Sequence, residues 1–199
     1  MDLAVTLVMV AIAWQAVRIR YQRGRIALLG RHLAKLQLER HMETLTEGYA
    51  RAIHEQDESR QLQVLATFAP TERAAATRAI TLADTMQGES AQNTAMARLP
   101  FCLPFAERFL SGTRDFRELL RIHAVGLNYV VNNEEGWDPK TRAFHLSAEL
   151  YLLQHSCHWY CKSRNVADAR LLLRHRVDHQ KVLASVSDTT RAAYLAWLR

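Results

Sequence analysis

Residues 3–17 (LAVTLVMVAIAWQAV) form the longest apolar run in the chain, with no charge and only Gln15 as a strongly polar side chain. A helix needs about 20 mainly apolar residues to cross bilayer hydrocarbon. Extending the run through Ile19 to Tyr21 reaches that length, with Arg18 and Arg20 snorkelling outward on their aliphatic stems. Trp14 and Tyr21 are the kind of aromatic residue that settles at a membrane–water interface. The pattern predicts a single transmembrane anchor over residues 1–21.

From Ile26 to about Phe68 there is no proline, and apolar residues recur at helical spacing. Ile26, Leu29, Leu33 and Leu36 make one set. Leu38, Met42, Leu45, Tyr49 and Ile53 make a second, which slips by two residues relative to the first. An uninterrupted heptad seam is therefore absent. The segment 22–68 is expected to be a basic juxtamembrane stretch and a stalk helix that packs on the following domain. A short coiled-coil homodimer through the stalk is the sharper alternative. Leu38, Leu45 and Ile53 are then candidate contact residues.

Residues 69–199 are expected to form a multi-helix bundle. Pro70 suits a helix start, and a helix is predicted over 71–85. The loop-like stretch 86–93 follows, then a buried bend at 99–105 (LPFCLPF) and a turn at Ser111-Gly112-Thr113. A helix over 113–132 leads into the loop 132–140 (NNEEGWDPK). Asp138-Pro139 reads as an N-cap followed by proline at the first helical position. Leu146, Leu150, Leu153, Cys157 and Tyr160 step by 4, 3, 4 and 3, marking one apolar face. Residues 167–186 are expected as the hairpin partner of that helix, and Asp188 as the cap of a last short one.

Composition agrees with an all-α chain: seven Gly and four Pro are too few for a sheet protein with a turn every ten residues or so. Net charge is +6, but Arg18, Arg20, Arg23, Arg25 and Arg31 lie in one acid-free stretch beside the apolar run. Residues 32–199 hold 21 basic and 19 acidic side chains, so there is no domain-wide basic excess of the kind nucleic-acid binding uses. A secretory signal would carry its positive charge before the apolar run. Here Asp2 precedes it and the arginines follow, which favours an anchor with the C-terminal domain on the cytoplasmic side of an inner (plasma) membrane.

Candidate chemistry centres on the last hairpin. Cys157-x3-Cys161 followed by His175-x3-His179 approaches zinc-finger spacing, but both cysteines fall on a periodic helix instead of a β-hairpin. Antiparallel pairing about Asn165 sets position i opposite roughly 330 − i, which brings His175 to His155 and leaves His179 about a turn beyond. A zinc site would use His155, His175 and His179, with Tyr151 nearby. Glu134, Glu135 and Asp138 surround Trp137 in a polar loop without EF-hand spacing, which makes Trp137 a candidate partner contact. His123 reads as a half-buried structural residue, and Cys102 has no neighbouring base in sequence to activate it. No nucleotide-binding or HExxH motif occurs. The expected function is a membrane-anchored scaffold or accessory protein acting through protein contacts. The alternative is a metal-binding protein or metalloenzyme built on the last hairpin.

Overall fold

The computed structural model describes residues 3–109 and 112–199. The expected turn at Ser111 therefore lies partly outside the described residues. The described chain is almost entirely helical.

Helix α1 runs unbroken from Leu3 to Leu33, 31 residues. Its first part projects from the body: Leu3, Val5, Leu7, Val8, Met9, Val10 and Ile12 are all exposed. The most apolar eighteen-residue window has mean hydropathy 1.6 and is nowhere buried in the protein. From Leu3 to Tyr21 the axial rise is about 27 Å at 1.5 Å per residue. That is close to the roughly 30 Å of bilayer hydrocarbon, so α1 is long and apolar enough to span a membrane. Beyond Tyr21 the same helix is packed, with Gln22, Leu28 and Leu29 buried.

The expected stalk helix over 22–68 is a correction. The chain leaves helix after Leu33, takes a left-handed conformation at Gln37 (φ 50°), and re-enters as α2, Leu38–Ile53. It breaks again at 54–57, where Asp57 accepts a hydrogen bond from the Arg60 amide and starts α3, Glu58–Thr67. Helix α4, Ala69–Met86, follows with Pro70 in its first turn. The two-residue slip in the apolar stripe explains the first break. Continued as one helix, Leu38 would point about 200° around the axis from Leu36. Breaking the helix between them lets Leu29, Leu36, Leu38, Leu45 and Tyr49 all enter one core. Helix α2 packs against α4 and α7 (Pro139–Cys161) within the body.

A short α5 (Ala91–Thr94) leads to strand β1 (Ala95–Met96), which pairs antiparallel with β2 (Arg114–Asp115). Between them lies a 3-10 turn over Ala106–Arg108. Helix α6 (Phe116–Asn132) is capped by Asp115, and α7 by Asp138, which accepts from the amides of Lys140 and Thr141 at 2.9 and 3.1 Å. Helix α7 is the axis of the body. It packs on α1, α2, α3, α6, α8 (Arg164–His175) and α9 (His179–Ser185), and is buried well beyond one apolar face. The expected single helix 167–186 is two, because Arg176 takes a left-handed φ of 57° and ends α8. Helix α10 (Asp188–Leu198) is capped by Ser187, one residue before the Asp188 expected from sequence.

Candidate functional site

The histidines singled out in the sequence lie on α7 (His155), α8 (His175) and α9 (His179), and they do not converge as a ligand set. His155, fully buried, donates from Nε2 to Asp168 Oδ1 at 2.7 Å. Its ring stacks on His179 with centroids 4.4 Å apart, because α9 folds back toward α7. His179 Nε2 shares a 3.1 Å hydrogen bond with the Tyr194 hydroxyl. His175 lies elsewhere, donating to Gln154 Oε1 at 2.8 Å and packing on Tyr151 at 4.1 Å. Cys157 and Cys161 are both free thiols packed against the apolar core. Among the described residues, no three His, Cys, Asp or Glu side chains come together as a metal ion requires.

Deeper in, His123 Nε2 shares a 2.8 Å hydrogen bond with Ser156 Oγ, both at 0% exposure. His123 is thus wholly buried, not half-buried. Burial, and secondarily the neighbouring His155, lowers its pKa to about 3. Burial, then His155, lowers that of His179 to about 4. Burial followed by Arg170 does the same to His158, also to about 4. At neutral pH all three rings are uncharged; His123 and His179 belong to a hydrogen-bonded core, while His158 is half-buried beside Arg170. Burial raises the Cys157 thiol far above its ordinary range and Cys161 to about 11, so both remain thiols rather than nucleophilic thiolates.

A second buried polar centre joins α6, α7 and α10. Glu149 accepts from the Ser187 amide and hydroxyl at 3.1 and 2.8 Å, while its Oε2 has no partner among the described residues. Burial raises its pKa to about 7. No local signal marks Glu149, because its partner Ser187 lies 38 residues away in sequence. Near α2, Glu72 is likewise buried, accepting from Tyr49 at 2.6 Å and paired with Arg142 at 3.0 Å.

Helices α2 and α8 leave a groove of about 570 Å³ above α7. Leu38, Met42, Tyr151 and Leu171 contribute apolar wall, and Glu39, Glu43, Arg170 and Arg174 contribute charge. Arg174 bridges it to Glu43 at 3.0 Å. Beside it, Leu172 and Leu173 stand exposed at 54% and 77%.

The proposed contact residues fare unequally. Leu38 and Leu45 are 2% and 0% exposed and belong to the core, so they offer no free surface; only Ile53 is open. Trp137 is not a projecting aromatic: it stacks on His145 at 4.4 Å, and the Asn133 side chain brackets its backbone. Glu135 accepts from Tyr129, and Asp138 serves as the α7 cap.

The basic cluster divides as well. Trp14, Arg20 and Arg23 are exposed and Arg18 is half-buried. Arg25 is built into the fold. It donates to the carbonyls of Tyr160 (3.2 Å) and Ala95, pairs with Glu107 at 3.7 Å, and lies against the rings of Tyr21 and Tyr160. Tyr21 donates to Glu107 Oε2 at 2.9 Å. Its spacing alone could not separate Arg25 from its neighbours.

No protein-family model, curated protein or solved structure matches the chain.

Proposed function

We propose that the chain is a membrane-anchored helical scaffold or accessory protein, held in an inner membrane with its body on the cytoplasmic side and working through protein contacts. One observation carries this reading. Helix α1 has an exposed apolar half long enough to span hydrocarbon and a packed half locked to the body through Tyr21 and Arg25. Such an anchor confines the body to a surface and raises the effective concentration of membrane-bound partners, so weak contacts suffice. The arginines that follow the apolar run set the body on the cytoplasmic side.

The contact surface is the face of α8 beside the groove, with exposed Leu172 and Leu173, in place of the 26–53 stripe, whose Leu29, Leu36, Leu38, Leu45 and Tyr49 fill the core. Affinity purification of the detergent-solubilised full chain tests the reading. Partners should co-purify with the wild type and be lost from a Leu172→Asp, Leu173→Asp variant that keeps its helical circular dichroism. Retention of every partner by that variant refutes the surface. A C-terminal phosphatase reporter active outside the cytoplasm refutes the orientation.

A further inference from the structure

Residues 99–105 (LPFCLPF) read in sequence as a buried bend, yet the segment 99–109 (LPFCLPFAERF) is strongly exposed in part. Phe101 is 56% and Phe109 84% exposed, while Arg98 and Arg108 also face outward. Phe105, midway between the two phenylalanines, adopts a left-handed φ of 61°, which a bulky side chain rarely takes. There its ring meets Tyr21 edge-on at 5.1 Å. Two residues on, Glu107 accepts from the Tyr21 hydroxyl and faces Arg25.

That seat is the point on α1 where packing ends and the exposed apolar stretch begins. The segment therefore lies level with the end of the candidate span. Exposed aromatics beside an apolar helix gain little from water and much from the headgroup–acyl boundary of a bilayer. The charge around them suits the same surface: Arg20 and Arg23 on α1 and Arg98 and Arg108 in or beside the segment are all exposed.

We propose that residues 99–109 are a second membrane contact, in which Phe101 and Phe109 enter the headgroup–acyl boundary beside α1 while Arg108, Arg20 and Arg23 hold anionic lipid headgroups. The inference rests on the reading of α1 as a membrane helix. With two contacts the body is fixed against the bilayer in rotation as well as in distance.

The test places p-benzoylphenylalanine, one site at a time, at Val10, Phe101, Phe109 or Phe144 of the full-length chain. Each variant is reconstituted in phosphatidylcholine–phosphatidylglycerol vesicles and irradiated, and lipid adducts are counted by mass spectrometry. Phe144 is an exposed phenylalanine of α7 that lies about 24 Å along the helix axis from Tyr160, at the α1 seat. Adducts at positions 10, 101 and 109, several-fold above those at 144, are expected. Adducts at 10, with either 101 or 109 no higher than 144, overturn the second contact and leave the anchor standing. Absence of adducts at 10 overturns the anchor reading and this inference with it.

Discussion

Replacing Glu149 by glutamine should change how stability responds to pH. Glu149 is fully buried, its Oε1 accepts from Ser187, and its Oε2 is unpartnered among the described residues. Burial raises its pKa from 4.5 to about 7. A carboxyl whose folded pKa lies above its unfolded one binds more protons in the fold between those values, so stability falls as pH rises through that window. Its contribution is fully present below pH 4.5 and lost above about pH 7. The ionised form is disfavoured in the fold by about 3 kcal/mol. His123 and His179 act oppositely. Their lowered pKa values make stability rise with pH from about 3 and about 4 toward the unfolded value of 6.5. Both histidines are present in wild type and variant alike, so their effect cancels in the comparison. The assay is urea unfolding of the detergent-solubilised chain, followed by helical circular dichroism on either side of the window. Glu149→Gln should gain on the order of 2–3 kcal/mol relative to wild type on going from the acid side to the neutral side. An equal difference between the two proteins at both pH values would mean that Glu149 titrates normally, and the argument from burial would fail.

Arg25→Ala should lower unfolding stability by about 3 kcal/mol, since it leaves Glu107 without its cation and removes donors to two carbonyls, whereas Arg23→Ala should change it by less than about 0.5 kcal/mol; similar losses in thermal unfolding of the two variants would contradict the seat described for α1. Gly126→Ala places a methyl in overlap with Thr190 Oγ1 and 2.8 Å from Glu149 Oε2; it should destabilise by about 3 kcal/mol or prevent folding, and a near-wild-type melting temperature would refute the packing there. Metal analysis of the purified full chain should find no stoichiometric zinc, and one zinc per chain that disappears in a His155→Ala, His179→Ala variant would restore the metalloprotein reading.

Legibility in the sequence followed the strength of local signals. Asp138-Pro139 marked the start of α7, and the spacing from Leu146 to Tyr160 placed those residues in the core, because proline, cap and periodicity agreed. The breaks at Gln37 and Arg176 carried no glycine or proline, so nothing local announced them; tertiary packing imposes the left-handed turns. That missing break at Arg176 also misplaced the histidines. With 167–186 as one helix, His179 lies a turn beyond His155, but the turn into α9 stacks the two rings. Arg25 looked like one of five flanking arginines, and only the approach of Glu107, distant in sequence, gives it another task. Glu149 was invisible for the same reason, since its partner Ser187 lies across the fold.

The continuity of α1 has a mechanical consequence. Helix α1 runs from its exposed apolar half into its packed half without a joint, and the Tyr21–Glu107–Arg25 contacts fix it at the boundary between the two. Spanning helices tilt to match the thickness of the hydrocarbon around them, by about 20° on average. On the proposed reading of α1 as a membrane anchor, such a tilt would swing the whole body as one lever, and bilayer thickness would set the angle at which the groove and the α8 face meet their surroundings.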